Sequence, residues 1–254
     1  MPVREISNVP SVSLALCTFK GGGGKTVLSL NLAGEFGSQG TRTLLIDCDQ
    51  QQSLFRWYKT SVARGSISEI DNIDAISVLP NEDLNERLKS APVADIHIYD
   101  VGGHAHGRAL DVFRRVQAVI IPVILEATSA TQAINVSNLL KQIAAKEGRA
   151  VTPHAAIWNN VDHIAMTKNR AIPEVIKLLN AGKVLTFETI IRKSNHFSDV
   201  AAGYGTLYTK LREIDHNPKM APSAKKRARE SVLDAIDQIK SLNNDFINLI
   251  SAAS

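Results

Sequence analysis

Four glycines stand between two lysines in the segment Lys20-Gly21-Gly22-Gly23-Gly24-Lys25-Thr26. An apolar run, Leu14–Cys17, precedes them, and a pattern with helical spacing follows. Glycines let successive backbone N–H groups converge on anionic oxygens, and a helix N-terminus adds the positive end of its dipole. In that setting Lys25 would reach the terminal phosphates of a nucleotide and the Thr26 hydroxyl would ligate Mg2+. Gly21, Gly22, Gly23, Gly24 and Val27 complete the phosphate-binding segment. The bland alternative is a surface glycine turn. Strand, loop, Lys-Thr and helix in this order argue against it. One lysine suffices for the phosphates, so Lys20 needs a separate account.

Two further acidic motifs end apolar segments. "LLIDCDQQQS" places Asp47 and Asp49 directly after the glycine-loop helix, and "IHIYDVGG" ends in Asp100, Gly102 and Gly103. Each alone reads as a strand-end turn in which Asp makes local hydrogen bonds. Their placement after a phosphate loop turns them into candidates for Mg2+ and water handling.

The elements that would carry these residues alternate along the chain. Strands are expected at Val12–Phe19, Thr41–Asp47, "DAISVLP", Ala94–Asp100, "QAVIIPVIL", "HAAIWNN" and, last, "KVLTFETI". Helices are expected from Lys25 to Ser38, over "QSLFRWYKTS", over "NEDLNERLKSA" with Asn81 as its N-cap, near Arg108–Val116, over Thr128–Lys146 and over "TKNRAIPEVIKLLNA". Several strands are nearly continuous apolar runs, as strands buried on both faces are. The expectation is an α/β fold: a mostly parallel central sheet flanked by helices, in one domain over residues 1–254. Residues 1–11 read as a polar lead-in. Residues 219–254 read as a basic segment followed by a terminal helix, with Val232, Ile236, Ile239, Phe246 and Ile250 facing the domain or a partner.

The segment from Lys20 to Thr26 departs from the common phosphate loop, because Phe19 stands where that motif needs its first glycine. It resembles the deviant Walker A motif of the ParA/MinD family of ATPases, and most closely a small ParA-type partition ATPase. The resemblance runs in order from residue 12 to about residue 205. It implies a P-loop NTPase fold, ATP and Mg2+ as ligands, and an ATP-dependent sandwich homodimer in which Lys20 contacts the nucleotide of the other subunit. It further implies that Lys25 neutralises phosphate charge, that Asp49 positions the attacking water, and that Thr26, Asp47 and Asp100 serve Mg2+. Gly102 and Gly103 would lie near the γ-phosphate. "AIWNNVDH" resembles the strand-end segment that reads adenine, with Asn159 as the reader and Asn160 as the neighbouring candidate. Two departures bear on turnover: Val27 replaces a frequent Ser/Thr, and Gln50 replaces a proline.

Composition is consistent with this. The 254 residues are 44% hydrophobic and 21% charged, with 29 Lys+Arg against 25 Asp+Glu, a net charge of +4. Such a chain can build a core, and it permits an anionic partner without requiring one. Cys17 and Cys48 fall inside expected strands and read as core residues. His104 and His106 lack a third partner at metal-site spacing. Basic residues gather at Arg192 and Lys193 and at Lys225, Lys226, Arg227 and Arg229. Any one cluster reads as a solvated face. On a partition-type ATPase they suit binding to non-specific DNA through phosphates. The resemblance adds a centromere-binding adaptor protein that stimulates slow hydrolysis, and a cytoplasmic, DNA-associated location. Only a short segment precedes the phosphate loop, so operator-specific binding by a helix-turn-helix domain is not expected. Two alternatives stay open: a membrane-associated MinD-like positioning ATPase, and a DNA-processing or conjugation accessory protein that uses ATP as an assembly switch. Asp234, Asp237 and Asp245 among the apolar positions of the last helix weigh against the membrane.

The two lysines should separate by mutation. Lys25→Ala is expected to abolish tight ATP binding. Lys20→Ala should retain measurable binding but lose ATP-dependent dimerisation and hydrolysis. Light scattering with ATP checks this, and normal dimerisation of Lys20→Ala would refute the assignment in trans.

Overall fold

Strands Val12–Cys17 (β1), Thr43–Asp47 (β2), Ile73–Ser77 (β3), Ile96–Val101 (β4), Ala118–Val123 (β5), His154–Val161 (β6) and Thr186–Arg192 (β7) form one sheet in the order β3-β2-β4-β1-β5-β6-β7. Every adjacent pair is parallel. This computed structural model describes residues 12–19, 22–102, 106–162 and 171–253. Four of the five inner strands, β2, β4, β1 and β5, are buried almost throughout, which is why they read as continuous apolar runs.

Nine α-helices lie among the described residues: Lys25–Ser38 (α1), Ser53–Ala63 (α2), Leu84–Lys89 (α3), His106–Phe113 (α4), Ala127–Glu147 (α5), Ala171–Ala181 (α6), Asn195–Ala201 (α7), Leu207–His216 (α8) and Pro222–Ser251 (α9). They cover both faces of the sheet. Leu14 and Leu16 of β1 join a core built with α1, α2, α7, α8 and α9. Ala15 and Cys17, pointing the other way, join a core built with α3, α4, α5 and α6.

The expected α/β architecture is the one observed, with four differences in detail. Asp83, not Asn81, caps α3, its carboxylate accepting from the backbone N–H of Asn85 and Glu86. The last strand lies at Thr186–Arg192 rather than starting at Lys183. Helices α7 and α8 are additional to the expected elements, although Leu207, Leu211 and Ile214 of α8 recur at helical spacing and pack on the core. The basic segment is not separate from the terminal helix: Pro222 occupies its first turn and the helix runs unbroken to Ser251.

Helix α9 docks on this domain. Val232, Ile236, Ile239, Leu242 and Phe246 are buried in the core shared with α1. Its polar side chains also serve the exposed edge of the sheet. Asp245 Oδ2 accepts from the Thr189 N–H at 3.1 Å, and Gln238 Oε1 from the Arg192 N–H at 2.7 Å. An edge strand otherwise presents free donors to other chains.

Helix α1 carries the glycine loop and is covered on nearly all sides, with Leu28 through Gly37 buried. Its charged Glu35 is held by the Tyr208 hydroxyl and by Gln39 Nε2 at 2.7 Å. Glycine at position 37 is dictated by close approach, since a Cβ there would sit 2.0 Å from the Asp71 carbonyl oxygen. Gly37→Ala must push backbone aside and should cost about 2 kcal/mol or more. Gly107→Ala, in open space on α4, should be near neutral. Chemical denaturation of the two variants checks the contrast.

Candidate functional site

The C-terminal ends of β1, β2 and β4 bring the sequence motifs together. Parallel register sets Leu16 opposite Asp100 and Asp47 opposite Asp100, so the glycine loop and both acidic turns emerge side by side. Strand β1 is flanked by β4 and β5, the point where the connections leave in opposite directions. That is where an open parallel sheet offers a crevice for ligands.

Helix α1 begins at this crevice. Gly24 precedes it with φ +79°, and no side chain caps its N-terminus. The first-turn N–H groups are therefore available to an anion. Asp83, Ser194 and Thr206 do supply side-chain caps, to α3, α7 and α8. Lys25 is only 7% exposed, an ammonium held inside the crevice.

Beside it, Thr26 Oγ1 donates to Asp100 Oδ2 at 2.5 Å. Asp100 is fully buried, and its other oxygen, Oδ1, has no hydrogen-bond partner among the described residues. Burial pushes this carboxyl up to about 7; Lys25 and the Thr26 hydroxyl pull it down, and Asp47 and Asp49 add to the rise. A buried carboxylate with a free lone pair, touching a hydroxyl, is a hard-oxygen donor set that suits Mg2+. The residues present fit the ion.

Asp47 uses both oxygens on backbone. Oδ1 accepts from Asp49 N–H at 3.0 Å and Oδ2 from Phe55 N–H at 2.9 Å, tying the turn to the first turn of α2. Burial raises its pKa, and these N–H contacts oppose the rise. Asp49 Oδ1 accepts from Gln51 N–H at 3.0 Å. The Asp49 carboxylate lies on Gly102, where a Cβ would meet its Cγ and Oδ2 at 2.6 Å. Cys17 is pushed up to about 12 and Cys48 is also raised, in both cases by burial foremost, so both stay protonated in the core.

On the other flank of the loop, Asn159 Nδ2 donates to the Gly23 carbonyl at 2.9 Å. A hollow of about 240 Å³ opens there, lined by Gly22, Gly24, Asn159, Asn160, Phe197 and Ser198 among others. A larger hollow, about 560 Å³, lies between β7 and α9. Its Glu188, Asp234, Asp237 and Asp245 would repel phosphates. The Phe197–Ser198 wall escaped the sequence reading, because α7 comes from a segment with no motif of its own.

Thus Lys25, Thr26, Asp47, Asp49, Asp100, Gly102 and Asn159 converge on one crevice. Lys20, Gly21, Gly103 and His104 lie outside the described residues. The basic residues sit elsewhere and are partly neutralised. Arg192 pairs with Asp234 at 2.6 Å, Arg229 pairs with Asp215, Lys225 Nζ donates to the Asp215 carbonyl at 2.7 Å, and Lys226 lies 4.0 Å from Glu230. Lys193 and Arg227 are exposed.

An uncapped helix behind a glycine loop, with a buried Thr–Asp pair at the end of the neighbouring strand, defines a P-loop nucleotide-binding domain on a doubly wound parallel sheet. The model for the CobQ/CobB/MinD/ParA nucleotide binding domain matches residues 14–246, and the chain belongs to that family, the ATPases of the ParA and MinD type. Among curated relatives, VirC1 of Rhizobium rhizogenes is 22% identical over 214 residues, covering 82% of this chain and 87% of that protein. Among solved structures, a putative plasmid partition protein of Borrelia burgdorferi bound to AMPPNP superposes with a TM-score of 0.56 at 17% identity, covering 90% of this chain and 99% of that one. The MinC:MinD complex of Aquifex aeolicus gives a TM-score of 0.60 at 17% identity, with 92% and 96% covered. At these identities the superpositions speak to the fold.

The raised Asp100 carboxyl has a consequence for stability without Mg2+. Its folded-state pKa lies above its unfolded value, so the stability it contributes is full below about pH 4 and lost as pH rises through about 7. Between about pH 4 and about pH 7 the metal-free protein should lose stability relative to Asp100→Asn. Melting temperatures of both proteins in chelator, across that range, check the sign.

Proposed function

We propose that this chain is a partition-type ATPase, binding ATP and Mg2+, dimerising on ATP, holding non-specific DNA as the dimer and releasing it on hydrolysis. The observation that carries the nucleotide chemistry is the buried Asp100 carboxylate, with one oxygen on Thr26, the other unpartnered among the described residues, and the Lys25 charge close enough to act on it. Bound Mg2+ would neutralise charge on the phosphate oxygens. Lys25 and the N–H groups of the glycine loop hold and orient the phosphates, and Thr26 and Asp100 hold the ion. Asp49 orients the attacking water. Its turn is kept in place by Asp47, which clamps Asp49 N–H and Phe55 N–H, and by the absence of a side chain at Gly102. Lys20 enters the other subunit's site, which couples phosphate neutralisation to dimer formation. Asn159 or Asn160 meets the base.

DNA binding rests on Lys193 and Arg227, exposed, joined by Arg192, Lys225, Lys226 and Arg229 once their ion pairs yield to phosphates. A centromere-binding adaptor stimulates hydrolysis and delivers the cargo. The fold shared with the Borrelia partition protein supports this reading. A membrane role is disfavoured, because the apolar face of α9 is buried in this domain and no described helix is long and apolar enough to cross a membrane. A second reading is a DNA-processing or conjugation accessory switch on the same fold, and VirC1 is matched over most of both chains. The readings share ATP-driven dimerisation and part at the DNA.

Co-sedimentation decides between them. The partition reading expects ATP-dependent, sequence-independent DNA binding that ADP does not support and that weakens steeply with salt. ATP-dependent binding confined to one DNA sequence would favour the accessory switch. Binding to liposomes without DNA binding would overturn both.

A further inference from the structure

Two features set Asp215 apart from the other acids beside the basic residues. It engages two cations at once. Its carboxylate accepts from the Arg229 guanidinium, and its backbone carbonyl accepts from Lys225 Nζ at 2.7 Å. Lys225 and Arg229 are four residues apart on α9, so they share a face and turn it toward the end of α8. The second feature is position. Asp215 stands next to last in α8, at the negative end of the helix dipole, where an acid is unfavourable. The Arg229 guanidinium nevertheless holds its carboxyl below the ordinary range, so the group stays charged near neutral pH. Both side chains reach solvent, at 39% exposure for Arg229 and 35% for Asp215, so a phosphate can approach the pair. Asp234, on Arg192, differs. Its Oδ2 also accepts from Gln238 Nε2 at 3.0 Å, within the network that joins α9 to β7.

We infer that Asp215 is a built-in competitor on the DNA surface: its carboxylate occupies Arg229, and its carbonyl Lys225, until phosphate displaces them. This deepens the DNA-binding reading above and rests on it. An exposed ion pair is weak, because water and salt screen it. A duplex presents a dense row of negative charge, and a protein cation that neutralises a phosphate releases a counterion. Phosphate can therefore take Arg229 from Asp215, but each such contact begins with a pair that has to open. The freed carboxylate then faces the same phosphates and repels them. Arg227, exposed on the same helix, carries no such pair among the described residues. The surface thus holds one cation ready and others in reserve, which keeps basal affinity low in a protein that has to leave DNA again.

The test separates local masking from net charge. Binding of a mixed-sequence DNA duplex, with ATP and Mg2+, is followed by fluorescence anisotropy over a range of salt. The proteins are wild type, Asp215→Asn, Arg229→Gln, the variant with both changes, and Glu86→Gln. Glu86 also pairs with a surface lysine, Lys89 at 2.7 Å, but lies on α3, across the sheet from α9. Asp215→Asn should bind about fivefold tighter near 0.1 M salt, with a log–log salt slope steeper by about one. It removes an unfavourable charge from a helix end, so it should fold as wild type does. Glu86→Gln raises net charge equally but acts from beyond a Debye length of about 10 Å, so it should gain less than about twofold. In the Arg229→Gln background the gain from Asp215→Asn should fall to about twofold. If Asp215→Asn gains no more than Glu86→Gln, or gains as much without Arg229 as with it, the inference is overturned while the DNA-binding reading stands. If neither wild type nor Asp215→Asn binds DNA at any salt, that reading fails and takes the inference with it.

Discussion

The Asp100 carboxylate sits at the buried end of a central strand, one oxygen against the Thr26 hydroxyl and the other without a partner among the described residues. Burying an ionised carboxylate is costly unless a cation or several donors compensate. Lys25 and Thr26 compensate in part, and the remainder appears as a carboxyl pushed up toward neutrality. Much of the surrounding structure follows from keeping these three groups together. The glycine loop must pass over the end of β1, α1 must start beside β4, and the register of β1, β2 and β4 must match to the residue.

That requirement explains how tightly α1 is enclosed. A helix that only filled space could present one apolar stripe, but here even Ser29, Asn31 and Glu35 are buried. Gly34 and Gly37 let Thr206 and the Asp71 backbone close onto it. Glu35 and the Tyr208 hydroxyl connect it to α8, and the apolar face of α9 packs in the same core. The helix that bears the phosphate loop is thereby tied to the C-terminal third of the chain.

The acids on the neighbouring turns show a second economy. Asp47 and Asp49 are one residue apart and chemically alike. Yet Asp47 is enclosed and engaged with two backbone N–H groups, while Asp49 faces the crevice across Gly102. The same contrast recurs at Asn159 and Asn160. In each pair a buried side chain holds backbone in place beside a less buried one, and at the end of β6 both asparagines line the hollow.

The sequence by itself determined the class of fold and the core of the site. Apolar runs reporting double-sided burial, helical spacing, and the order of glycine loop and acidic turns are local signals, and each survives intact in the structure. The resemblance of Lys20–Thr26 to a deviant Walker A motif pointed to the family that residues 14–246 match. Tertiary structure alone decided what depends on distant chain segments meeting. The Asn159 amide falls on Gly23, the wall of the hollow comes from α7, and α9 lies along β7 with Asp245 and Gln238 satisfying its backbone. Asp83 displaced Asn81 as a cap because the helix start was settled by where Leu84 could be buried. Periodicity and motif order report a residue's own element; which oxygen or amide it meets across the sheet is set only when the layers close.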